Sequence, residues 1–344
     1  MICEEVVSIL EIRLHEDLNA ILRNELSFES SDNSTDQRVI LFQSILTEVM
    51  HFDDYLRATW GISNTPNSLL IHCYLEEEVF SFWRSVDSTL YQGFVEGLSG
   101  DTEGNRKLQV VLNTILNKYN HIVGEDEQKK YYVEVIAPLF SIYLSNIRST
   151  NLSRSTITSI KWGLVQQYVN SISGFLDVLN DVLERNELVP LFESESELEG
   201  KLMEVKEKAN QEKKVVLYNL INIAVLYYSD LVFDSVILTE LFTLGNKSSF
   251  PQTRIDRILQ QAEETITEYF NTLKQWLSDR LSSGIIFSTL RSIDKELKER
   301  ILRLHYNQRG ADNLVKIITQ IRLLSKGYSV DPMKVLRQFL ENNK

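Results

Sequence analysis

Residues 39–60 read VILFQSILTEVMHFDDYLRATW. Leu41, Ile45, Val49, Phe52 and Leu56 recur at helical spacing, which lays an apolar stripe along one helix and predicts that it packs against others of its kind. Asp53 and Arg57 stand four apart on an adjoining face, within reach of each other. The adjacent Asp53-Asp54 has two readings: the start of a magnesium site, or part of a packing and pairing motif. The first makes the chain an enzyme and the second a scaffold.

The rest of the chain extends the helical reading. Its 344 residues are 43% hydrophobic and include only 13 glycines and 5 prolines. So few turn formers favour long helices over many short strands, and the expected class is all-α. Residues 4–26 predict a helix with Val6, Ile9, Leu10, Leu14, Leu18, Ile21 and Leu22 on one face. Residues 67–97 predict a single helix that is apolar around much of its girth, from Leu70 and Cys73 through Trp83 to Leu90 and Phe94. Leu108, Val111, Leu112, Ile115 and Tyr119 mark the next helix, which Gly124 closes. Helices over 128–149, kinked at Pro138, and over 155–184, ended by Pro190, follow. A helix over 197–228 passes from a charged half into an apolar half. The cleanest periodicity runs from Ile255 to Leu281, closed by Gly284, and three shorter helices complete the chain.

The polar Ser194–Glu199 junction places the main boundary near residue 193, giving a first bundle region over 1–193 and a second over 194–344. No period of 20 to 50 residues marks a repeat array. The expected architecture is an elongated rod of consecutive antiparallel bundles.

A net charge of −12 spread along the chain opposes binding to nucleic acid or anionic lipid. Cys3 and Cys73 form neither a disulfide framework nor a CxxC, and read as core thiols of a reducing compartment. The longest apolar run, Val215 to Tyr228, contains Asn219 and Asn222 and falls short of the roughly 20 residues of a membrane span. His15, His51, His72, His121 and His305 are scattered with no i, i+4 pair. No nucleotide-binding or serine-hydrolase motif occurs, so no catalytic residue, metal or cofactor is expected. The magnesium reading requires several acids converging on a diphosphate, as in an all-α isoprenoid synthase. Arg57 stands where the third acid belongs. The second motif, Asn180-Asp181, continues with Glu184 and Leu188 in place of a hydroxyl residue and an acid. The Asp-rich helix therefore reads as a structural motif.

Four segments in order carry a resemblance. They are Phe52-Asp53-x-x-Leu56-Arg57 with Gly61, Trp83 with Asp87 four residues later, Lys118-Tyr119, and His305-Tyr306-Asn307-Gln308-Arg309-Gly310-Ala311. Together they resemble the Rint-one/Tip-twenty family, the SNARE-binding subunit of the Dsl/NRZ tethering complex. Arg309 stands where the family carries a glycine. The resemblance runs from residue 40 to the last helix and corresponds to the C-terminal half of a typical member. It implies a CATCHR-type rod without enzymatic activity, peripheral on the endoplasmic reticulum in the cytoplasm. The implied partners are an ER SNARE of the Sec-twenty type, in Golgi-to-ER retrograde transport, and other Dsl-complex subunits, met mainly through an N-terminal half outside this chain. Membrane association would be indirect, through those partners. In this reading Phe52 and Leu56 pack, Arg57 pairs with Asp53 or a neighbouring helix, and Gly310 lets the chain turn. A helical adaptor of some other complex has the same pattern.

Overall fold

The computed structural model describes residues 2–23, 34–60, 70–149, 162–233 and 252–301, together with Thr319. Every described element is a helix, and no strand occurs among the described residues. In chain order these are α1 (Ile2–Leu22), α2 (Ser34–Trp60), a 3-10 turn (Leu70–Leu75), α3 (Glu77–Glu96), α4 (Thr102–Tyr119), α5 (Glu125–Tyr131), a π turn (Tyr132–Ile136) and α6 (Ala137–Ser149). They are followed by α7 (Trp162–Leu183), α8 (Val189–Ser194), α9 (Ser196–Phe233), α10 (Gln252–Trp276) and α11 (Asp279–Ile301). The chain divides into two compact units, residues 1–151 with 170–210 and residues 152–169 with 211–344, so α7 and α9 each contribute to both.

In the first unit, α1 and α2 both lie against the 3-10 turn, and α3 packs along the π turn and α6. The buried face of α1 is Val7, Leu14, Leu18 and Ile21, while Ile9, Leu10 and Ile12 are exposed, which corrects the face expected from sequence. The face of α2 is likewise rotated. Phe42, Leu46, Val49, Met50 and Leu56 are buried, Leu41, Ile45 and Phe52 are half-buried, and the charged Asp53 lies inside the buried stripe.

The expected single helix over 67–97 is two elements. Glu76 adopts an extended backbone between them, with φ −61° and ψ 137°. Leu90 and Phe94, expected inside, are exposed. α4 matches its pattern, with Leu108, Val111, Leu112, Ile115 and Tyr119 all buried. Asp101 caps it by accepting the Gly104 amide at 2.8 Å. Gly124 opens α5 with φ +123°, a conformation that side chains with a Cβ rarely adopt.

Proline 138 acts through the helix ladder. It lacks the amide that would bond the Glu134 carbonyl, so the turn before it widens and the Ala137 amide reaches Tyr132 instead. The hydroxyl of Ser88 donates to the released Glu134 carbonyl at 3.0 Å. Pro190 does not end a helix: α7 stops at Leu183, and Pro190 sits in the first turn of α8, where its missing amide costs nothing. α7 also runs straight through Gly174. A Cβ there would lie 2.4 Å from Asn105 Nδ2, so α4 and α7 approach across a glycine.

In the second unit, α10 and α11 pack on each other. Ala262, Ile266, Tyr269, Phe270 and Leu273 form the inner stripe of α10, joined at the bend by Leu277. The periodicity expected to run to Leu281 breaks at residues 277–278, Asp279 begins α11, and that helix continues through Gly284. The stripe on both sides of the bend stays in phase, which is why the pattern alone conceals it. The Tyr269 hydroxyl donates to the Leu220 carbonyl of α9 at 2.7 Å, and its ring meets Trp162 at 5.5 Å. No helix among the described residues is long and apolar enough to cross a membrane.

Candidate functional site

Trp83, Asp87 and Lys118 converge in the first unit around one carboxylate. Asp87 is completely buried on α3. Trp83, one turn earlier, donates its indole N–H to Oδ2 at 2.7 Å, and the Tyr131 hydroxyl donates to the same oxygen at 2.6 Å. Lys118 Nζ donates to Oδ1 at 2.8 Å and to Gln43 Oε1 at 2.6 Å, while Gln43 Nε2 donates to Asp87 Oδ1 at 2.9 Å. One acid therefore ties α2, α3, α4 and α5 together. Burial and the Asp87 carboxylate hold the Tyr131 hydroxyl well above its ordinary range, so it remains a donor.

A box of rings encloses this junction. Trp83 meets Tyr74, Phe80 and Tyr131 edge-on at 6.1, 5.7 and 5.6 Å, and Phe42 bridges Tyr74 and Phe82 at 5.3 and 5.0 Å. The Lys118 ammonium lies 5.2 Å from the centre of the Tyr91 ring. Arg84 sits over Phe80 at 4.9 Å and ion-pairs with Glu134 at the π turn. Four satisfied donors and a shell of aromatics leave Asp87 no open coordination position and no access for a substrate.

The Asp-rich segment of α2 resolves into two separate jobs. Asp53 accepts the backbone amides of Leu70 and Ile71 at 3.0 and 2.8 Å, satisfying the orphan donors that start the 3-10 turn. Burial pushes its carboxyl above the ordinary range, while the two amides and Arg57 pull it back down. Arg57 does not hydrogen-bond Asp53, as the spacing suggests. It donates to Asp54 Oδ1 at 3.3 Å and to His121 Nδ1 at 3.4 Å, because the amides at residues 70 and 71 already occupy both oxygens of Asp53. Burial lowers the His121 pKa below its ordinary 6.5, opposed by Asp54 and reinforced by Arg57 and His51. The Asp53 and Asp54 oxygens thus face different partners and do not converge on one ion.

Phe52 is half-buried and Leu56 is buried on α2. Gly61, His305, Tyr306, Gly310 and Ala311 lie outside the described residues. Asp181, from the second acidic pair, forms an i, i+4 ion pair with Arg185 at 2.9 Å.

Sequence reading did not find Gln43 or Tyr131 as partners of Asp87. The available signal was a polar Gln43 between the apolar Phe42 and Leu46, which marks a side chain in need of a partner. A further cluster also escaped it: Glu11 of α1 meets His72 at 3.1 Å beside the buried Cys73, and residues 61 apart in sequence give no spacing rule to read.

No protein-family model matches this chain, and no curated protein or solved structure does either.

Proposed function

We propose that this chain is a non-enzymatic subunit of a vesicle-tethering complex, which holds a helical segment of an ER SNARE of the Sec-twenty type in Golgi-to-ER transport. The observation that carries the reading is the Asp87 junction. Trp83, Asp87 and Lys118, three of the residues on which the resemblance rests, make one buried contact set across separate helices. Motif residues spent on holding helices together belong to a scaffold, whose partner is met elsewhere on its surface.

α9 supplies a face suited to such a partner. Val215, Tyr218 and Leu226 stand exposed along it with Asn222 between them in helical register, a mixed apolar and amide face on which an amphipathic helix packs. The CATCHR-type rod, peripheral association with the endoplasmic reticulum and docking to other subunits of a Dsl-type complex all belong to this proposal.

Isothermal titration of the chain with the cytosolic region of such a SNARE tests it. Micromolar or tighter binding that Tyr218→Asp with Leu226→Asp weakens at least about tenfold supports the reading. Absence of binding to the chain, alone and joined to a full-length partner subunit, overturns it.

A further inference from the structure

Two Glu–His pairs line the contact between α1 and the 3-10 turn. Glu11 Oε1 lies 3.1 Å from His72 Nε2, and His15 Nε2 lies 3.5 Å from Glu76 Oε1. Glu11 and His15 are one turn apart on α1, and His72 and Glu76 are four apart on the facing segment, so the pairs run side by side. Next to His72 stands Cys73, completely buried and in no disulfide. The donor atoms of Glu11, His72 and Cys73 all fall within 4.8 Å of one another.

An ordinary ion-pair contact explains the carboxylates and imidazoles but not the thiol. A buried Cys among apolar neighbours behaves as a small hydrophobe. Cys73 sits instead beside a carboxylate and an imidazole, its sulfur within 4.8 Å of a donor atom of Glu11 and of His72. A carboxylate, an imidazole and a sulfur drawn together from two elements form a mixed donor set that one cation can join.

We propose that Glu11, His72 and Cys73 bind a borderline transition-metal dication of the zinc class, with water completing its coordination. The donor set of one oxygen, one nitrogen and one sulfur suits zinc and disfavours magnesium and calcium, which take oxygen alone. Around a tetrahedral zinc with bonds of about 2.0–2.3 Å, donors sit roughly 3.3–3.8 Å apart, so atoms that lie within 4.8 Å of one another close in by roughly 1 Å on binding. On binding, the Cys73 S–H bond breaks, its proton leaves to solvent, and the sulfur–metal bond forms with no change of oxidation state. The side chains of Glu11 and His72 remain partly exposed and give the ion its way in. The bound ion would fasten α1 to the 3-10 turn that Asp53 caps.

Cobalt(II) is the probe, because a thiolate ligand gives it a near-ultraviolet charge-transfer band that carboxylate and imidazole alone do not. The expected result is one equivalent bound, with that band present in the native chain and in Cys3→Ser, absent in Cys73→Ala, and displaced by zinc. Glu11→Gln and His72→Gln, which preserve shape, should each weaken the affinity about tenfold or more, since even outer-sphere partners are worth 10–100-fold. They serve as the readout if Cys73→Ala does not fold. Titration of the native chain without a charge-transfer band, or a band unchanged in Cys73→Ala or in both Gln variants, overturns the proposal and leaves a pair of ion bridges.

Discussion

Replacing Lys118 with methionine isolates the electrostatics of the Asp87 junction. Methionine keeps most of the aliphatic stem and removes the ammonium, which lies 2.8 Å from Asp87 Oδ1 and 5.2 Å from the centre of the Tyr91 ring. Asp87 then remains at 0% exposure with three neutral donors, from Trp83, Tyr131 and Gln43, and no cation. Breaking one side of a buried pair costs about 3–5 kcal/mol. The three surviving donors and the 12% exposure of the Lys118 side chain set the expectation at the lower end, about 3 kcal/mol. With a urea slope of about 2 kcal/mol/M, this corresponds to a midpoint about 1.5 M lower.

Because the chain has two compact units, a global signal mixes their transitions. Hydrogen exchange of the α3 and α4 amides across a urea series reads the correct unit. Combining Lys118→Met with Asp87→Asn removes the uncompensated charge, so the double variant should be less destabilised than the sum of the singles by at least about 1 kcal/mol. A Lys118→Met variant within about 0.5 kcal/mol of native, or strict additivity, would refute the reasoning.

Three further outcomes follow from the same geometry. Asp53→Ala uncaps two buried amides and should cost about 2–4 kcal/mol, whereas Arg57→Ala, which loses an ion pair with the exposed Asp54, should cost about 1 kcal/mol; urea midpoints of both variants reveal the order. Gly174→Ala drives a Cβ into Asn105 Nδ2 and strains its 2.9 Å bond to the Ser171 carbonyl, lowering stability by about 1–3 kcal/mol in thermal melts, and Asn105→Ala in the same chain should recover part of that loss. The folded His121 pKa lies below 6.5, so its stabilising contribution is fully present above pH 6.5 and is lost as pH falls from there through the folded value. His121→Gln should flatten the urea midpoint over that window, and an unchanged slope would remove His121 as the cause. The raised Asp53 works with the opposite sign, protonation favouring the folded state, and the comparison of native and His121→Gln chains cancels it.

Helical class was legible because burial repeats at helical spacing whatever the packing partner; α4 follows its pattern residue for residue. Faces were less legible. The α2 stripe reads one position out because periodicity counts apolar residues only and so leaves Asp53 on the adjoining face. Its burial depends on two amides contributed by residues 70 and 71, and such a tertiary debt leaves no trace in local spacing. Helix ends show the same limit. Pro190 and Gly284 are ambiguous punctuation: proline is as content in a first turn as beyond a last one, and an interior glycine costs a helix only about 1 kcal/mol. At the candidate site, Trp83 and Asp87 were visible as a pair one turn apart. The convergence of Gln43, Lys118 and Tyr131 on Asp87 joins residues from 31 to 44 positions away, which only the fold brings together.

The central claim is that the motif residues hold the scaffold while the partner docks on an exposed face. Amide hydrogen exchange of the chain with and without the SNARE cytosolic region tests it most directly. The account predicts new protection over α9 around Val215–Tyr227 and unchanged exchange in α3 and α4 at the Asp87 junction. Absence of new protection in α9, or protection centred on that junction, would contradict it.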